Sequence, residues 1–190
     1  MRTALFATLL AALSVAGATP HRPVQPAAPK ADPQIDVLFG QLARAGSDDE
    51  AKPLEEQILT LFLQSGSASV DLLMTRTAAA LAGGDLDSAR KLLEAVTEIA
   101  PGYAEGWHQR GKLLAVAGDD EGAIVSLQKA VTLNPRQFAA LSELGAILAE
   151  YGDKRDALRI LRKALAVDRH FANVDREVQE LSREVEGEKI

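Results

Sequence analysis

The strongest constraint on this chain is a period of 34 residues. Gly84-Asp85, Gly118-Asp119 and Gly152-Asp153 recur at that spacing, as do Ala89, Ala123 and Ala157. Leu93, Leu127 and Leu161 share the register, and so do Val96, Ala130 and Ala164. Two further columns are Leu73, Trp107 and Leu141, and Thr77, Gly111 and Gly145. Self-similarity at a fixed spacing of about 20–50 residues marks a repeat architecture, in which each unit buries its apolar face only against its neighbours. A single compact core has no reason to return the same residue types at equal intervals.

Each unit reads as two helices and a turn. In the second unit, Trp107, Gly111, Leu114 and Ala115 fall at spacings of three and four, one face of a helix over 104–117. Gly118 can take the left-handed conformation that ends a helix, and Asp119 can cap the next. Ala123, Ile124, Leu127, Ala130 and Val131 form the inner face of that second helix, and Asn134-Pro135 ends it. The small residues allow close approach of the two helices, while Trp107 and Leu127 fill the space between neighbouring pairs.

The pattern Trp107-x2-Arg110-Gly111-x2-Leu114, followed by Ala123-x3-Leu127-x2-Ala130-x4-Pro135, resembles the tetratricopeptide repeat. Three units match in one register, 70–103, 104–137 and 138–171. Departures are Arg76 and Arg110 in a column often held by Leu, and Arg169 in place of the closing Pro. The resemblance implies an all-α solenoid of stacked antiparallel helix pairs that binds a protein or peptide in a concave groove. The positions that line such grooves fall here on Met74, Tyr103, Glu105, His108, Lys112, Arg136, Gln137, Ser142 and Glu150. His108, Lys112 and Arg136 would give the middle of the groove a modest basic character suited to an acidic partner. Met74, Ala78, Ser142 and Ala146 do not reproduce the Lys/Asn clamp with which chaperone-binding members hold a C-terminal carboxylate.

Outside the repeats, residues 1–18 follow the secretory pattern. Arg2 is the positive flank, Ala4 to Val15 an uncharged and mostly apolar run, and Ala16-Gly17-Ala18 a small-residue cleavage site, with cleavage after Ala18. At about twelve residues, that run falls short of the roughly 20 a membrane span needs, so an uncleaved anchor is the weaker alternative. Residues 19–33 carry five prolines and read as an extended spacer. Residues 34–66 read as a divergent helical hairpin capping the N-terminal end of the array. Counting back by the period places Phe39 on the Trp107 column, Leu59 on the Leu127 column and Glu55 on the small Ala123 column. Residues 172–190 supply a closing amphipathic helix with Val174, Val178, Leu181 and Val185 inward.

Chemistry is poorly represented. The chain has no Cys, which removes disulfides, cysteine-ligated metals and thiol catalysis. A net charge of -6 argues against a nucleic-acid partner, which needs a basic footprint. Ser126-x-x-Lys129 has no accompanying K-T-G or S-D-N motif. His21, His108 and His170 lack metal spacing, and His108 reads as an exposed surface residue. Asp48-Asp49-Glu50 and Asp119-Asp120-Glu121 suit helix capping rather than calcium. No cofactor and no metal is expected. The expectation is a non-enzymatic periplasmic or secreted scaffold. Alternatives are a self-associating spacer of the cell envelope and an enzyme accessory subunit.

Overall fold

The computed structural model describes residues 33–171 and 174–187; the expected signal peptide and all of the spacer except Pro33 lie outside them. Among the described residues there are nine helices and no strand. They are α1 (Pro33–Leu42), α2 (Asp48–Phe62), α3 (Ala68–Ala82), α4 (Leu86–Ile99), α5 (Ala104–Val116), α6 (Asp120–Leu133), α7 (Phe138–Glu150), α8 (Lys154–Val167) and α9 (Val174–Glu186). From α3 to α9, each helix packs on the next, giving three antiparallel pairs stacked in chain order and closed by α9.

The turns inside the pairs follow directly from the Gly-Asp dipeptides. Gly84, Gly118 and Gly152 have φ of 74, 77 and 95°, a region that costs a side-chain-bearing residue energy and glycine nothing. That geometry lets the next amide bond back five residues, Asp85 to Ala80, Asp119 to Leu114 and Asp153 to Leu148, each at 2.9 Å. The three aspartates then cap α4, α6 and α8 by accepting from the amides of Ser88, Gly122 and Asp156. One dipeptide thus ends one helix and starts the next.

The repeated columns are the core. The alanines at 89, 123 and 157 and the leucines at 93, 127 and 161 are fully buried, with Val96, Ala130 and Ala164 beside them. Gly111 and Gly145 sit against Leu127 and Leu161 so closely that a Cβ would lie 2.7 and 2.5 Å from the leucine Cγ. Close helix contact here requires the missing side chain. At the far end Val174, Val178 and Leu181 of α9 pack on the cluster around Ile160 and Leu161, and Lys154–Glu184 and Arg162–Glu186 ion pairs line the solvent side.

The N-terminal hairpin departs from expectation. It does not extend the stack as a cap on α3. Leu38, Phe39, Leu42, Ala51 and Ile58 share a core with Phe138, Ala139, Val167 and Phe171, at the opposite end of the array. The reason is register. Ser47 caps α2 by accepting from the Glu50 amide, as Asp85 does for α4, but it stands 38 residues before Asp85 rather than 34. Ala51, not Glu55, therefore falls on the small column, four residues after the cap. Glu55 falls instead on the column held by Leu93, Leu127 and Leu161. A carboxyl there cannot enter an apolar repeat interface without a large desolvation cost.

Candidate functional site

The hairpin lies along the turns that join one helix pair to the next. Asp48, at the start of α2, meets His170 with Oδ1 and Nδ1 2.7 Å apart, and Arg169 donates to the Ala45 carbonyl at 2.5 Å. Beyond the other end of α2, the Leu63 carbonyl accepts from the Tyr103 hydroxyl at 2.8 Å. α2 thus runs from the end of the third pair back to the turn between the first and second. Phe39 stands 6.4 Å from Phe138, whose ring lies 4.7 Å from that of Phe171. The Arg136 guanidinium covers Phe39 at 3.7 Å and donates to Asp36 at 2.5 Å.

Beside that seam lies a buried polar network. His108 Nδ1 is 3.1 Å from Glu105 and Nε2 is 3.0 Å from Glu143. Gln109 donates to the second oxygen of Glu105 at 2.6 Å, and the Gln137 side-chain amide closes on the first. Burial opposes the charge on His108, but hydrogen bonds to the two carboxylates outweigh it and push its pKa up to about 9. Burial likewise opposes the charge on Glu105, and the bonds from His108, Gln109 and Gln137 hold its carboxyl below the usual range. The imidazolium is therefore charged at neutral pH.

The nine residues expected to line a groove separate into four groups. Glu105, His108 and Gln137 come together in this network, and Lys112 reaches its edge, 3.9 Å from Glu143. His108 is only 3% exposed, which corrects its reading as a surface residue: carboxylates on both sides, not solvent, satisfy it. Met74 and Tyr103 are buried in the core between the first two pairs, and burial pushes the Tyr103 phenol up. Arg136 is engaged by the hairpin. Ser142 is half-buried and Glu150 exposed, both apart from the network. The basic cluster anticipated from His108, Lys112 and Arg136 is matched by Glu105, Glu143 and Asp36, so it presents little free positive charge. Glu143 stands 35 residues after His108, one position past Ser142, its equivalent in the next repeat, so neighbouring first helices bring the two together.

A second titratable cluster occupies the seam. Burial, then the charge of Asp168, pushes the Glu55 carboxyl up to about 7. Asp168 Oδ2 is buried with no hydrogen-bond partner, so a proton on the Glu55 carboxyl is the donor this pair lacks when both are ionised. Hydrogen bonding to Asp48 raises the His170 pKa.

A family model described as tetratricopeptide repeat matches residues 104–137, the whole second unit. A TPR repeat-containing protein of Rhizobium etli is 28% identical over 156 residues, covering 82% of this chain and 76% of that protein. Residues 104–137 are a tetratricopeptide repeat, and the chain has the all-α solenoid fold of such repeats. Solved structures with the same fold include the MamA protein, at a TM-score of 0.58 and 17% identity over 80% of this chain and 83% of that one. The first TPR of Spaghetti (RPAP3) bound to an HSP90 peptide matches at 0.58 and 16% identity, over 62% and 93% of the two chains.

Tetratricopeptide-repeat domains bind protein or peptide partners, and this repeat protein has the corresponding scaffold. Its one serine motif has a structural use. Ser126 donates to the Gly122 carbonyl at 2.7 Å and accepts from Arg110 at 2.5 Å, so its oxygen is committed inside the α5–α6 pair. Among the described residues no helix is long and apolar enough to cross a membrane.

Proposed function

We propose that this repeat protein is an exported, non-enzymatic interaction scaffold, carried across the membrane by residues 1–18 and set off from its surroundings by the spacer 19–33. The partner docks on the part of the groove that the hairpin leaves open, near the C-terminal ends of α3, α5 and α7. One observation carries this reading: Val116 is 75% exposed and Leu81 is also exposed, each near the C-terminal end of its helix, at positions that the family resemblance assigns to the groove. The same family positions fall on Ala82, Ala115, Ala146 and Ala149, all small side chains, and on Lys112 and Glu150. Such a surface suits an apolar stretch of a peptide or helix, and rigid stacked helices limit the ordering cost of binding it. The acidic partner expected from the sequence is less well served, since Lys112 and Arg136 already face carboxylates.

The test is co-purification of partners with the full-length tagged protein and with a Leu81→Glu/Val116→Glu variant. Loss of the same partners from the variant supports the assignment, and an unchanged partner list removes it. N-terminal sequencing of the exported protein checks cleavage after Ala18. Self-association as an envelope spacer is a second reading, favoured by Leu72, 51% exposed on the uncovered side of α3. Light scattering across a concentration series separates the two, because a spacer of this kind grows in mass with concentration.

A further inference from the structure

The hairpin is attached to the array as a ligand is held in a site. Its described contacts with the array fall on the turns between pairs: Tyr103, Arg136 to Ala139, and Val167 to Phe171. The cores of the repeats close without it. The clusters around Leu93 and around Leu127 and Leu161 contain no side chain from α1 or α2. Glu55, on the column that repeats fill with leucine, keeps the hairpin from becoming one more stacked unit. An element that contributes nothing to the repeat interfaces can leave without opening them.

The seat itself is specific. Asp36 and Phe39 lie three residues apart on one face of α1 and are read by one side chain, Arg136, which pairs with the carboxylate and covers the ring. Fully buried Phe138 forms the floor and Phe171 supports it edge-on. Leu38 and Leu42 complete the apolar face that α1 lays down. A helix with an acid one turn ahead of an aromatic ring meets a cation above an apolar floor, and nothing in that recognition depends on the helix being part of the same chain.

We propose that the turns around Arg136, Phe138 and Phe171 form a helix-binding site, filled in the free protein by its own α1 and open to partner helices of the pattern Asp/Glu-x-x-Phe when α1 is displaced. The site is distinct from the exposed pair Leu81 and Val116, and a partner can use either. Occupation in cis raises the effective concentration of α1 into the range of about millimolar, so a partner must outcompete a tethered rival. The site is thereby closed to weak ligands and opened by tight ones.

The probe is a fluorescent peptide with the sequence of residues 33–46, added to the full-length chain and followed by anisotropy. The wild type is expected to bind it weakly. Phe39→Ala/Leu42→Ala, which loosens the resident helix, is expected to bind at least tenfold tighter, and adding Arg136→Glu to that chain is expected to reverse the gain. A peptide with alanine in place of its phenylalanine is expected to lose at least tenfold. Circular dichroism checks that the loosened chain keeps its helices, and the milder Phe39→Leu chain replaces it if helix content falls. The proposal is overturned if a folded, loosened chain binds the peptide no better than wild type, or binds the alanine peptide equally well. Either failure leaves partner capture at Leu81 and Val116 untouched, so the two assignments are judged separately.

Discussion

Gly145→Ala tests whether the missing side chains in the Gly111/Gly145 column set the spacing of the helix pairs. A Cβ at residue 145 would lie 2.5 Å from Leu161 Cγ and 2.6 Å from its Cδ2. Both are well inside contact distance, and Cγ is the branch point of the side chain, so a rotamer change at the tip gives no relief. Leu161 is fully buried, with Ala157, Ala164 and Leu141 in the same core, and has nowhere to move. Overpacking of this kind costs about 1–3 kcal/mol, and the constraint on Leu161 places it near the upper end. Replacing a helical glycine by alanine returns about 1 kcal/mol. The expected net loss is ~2 kcal/mol, or a fall of about 4–8 °C in Tm for a chain of this size. Thermal unfolding followed by circular dichroism measures it, with Gly102→Ala as control, since a Cβ there meets nothing within 4 Å. Adding Leu161→Ala to Gly145→Ala should cost less than the sum of the single losses, because the two groups compete for one space. A Gly145→Ala protein as stable as the wild type would refute the reasoning.

Three further outcomes are expected. Asp119→Ala removes the cap of α6 and should destabilise by about 1 kcal/mol, read from urea unfolding, whereas Asp119→Asn should be nearly neutral. His108 has its pKa raised to about 9, so its contribution is complete below its ordinary value of 6.5 and is lost as pH rises through about 9. Tm should fall between pH 7 and pH 10, and His108→Gln should flatten that fall while lowering stability at pH 7 by roughly 3 kcal/mol, because two carboxylates lose the charge between them. Glu55, raised from 4.5 to about 7, faces Asp168, Asp48 and His170. Seating of the hairpin should weaken as pH rises from about 4.5 to 7, by about 1 kcal/mol once solvent screening is allowed for. Glu55→Gln should remove most of that dependence in amide exchange measured across α2, the remainder following His170, whose raised pKa acts in the same direction.

The repeats were legible because their physics is local. A Gly-Asp turn needs only its own dipeptide, and the buried alanines and leucines recur because each pair repeats the interface before it. The hairpin was not, for two reasons. The segment between Ser47 and Asp85 is four residues longer than the period, so counting back misplaced every column of α2. Its contacts also join residues such as Asp36 and Arg136, 100 positions apart, which no periodicity encodes. His108 was misread from within its own helix; its burial depends on Glu143 in the next repeat and Gln137 in the turn between. Ser142 and Glu150 carry no geometry that distinguishes them, so their part in binding still rests on the resemblance.

The central claim is that the hairpin lies back along the inter-repeat turns instead of extending the stack. The chain has no cysteine of its own, so Asp48→Cys with His170→Cys places the only two thiols where the native side chains stand 2.7 Å apart. Treatment with a short bis-maleimide, followed by mass spectrometry of the digested protein, reads the answer. The account predicts a bridge within one chain between the peptides carrying residues 48 and 170. Complete but separate modification of the two thiols, with the protein folded, would contradict it.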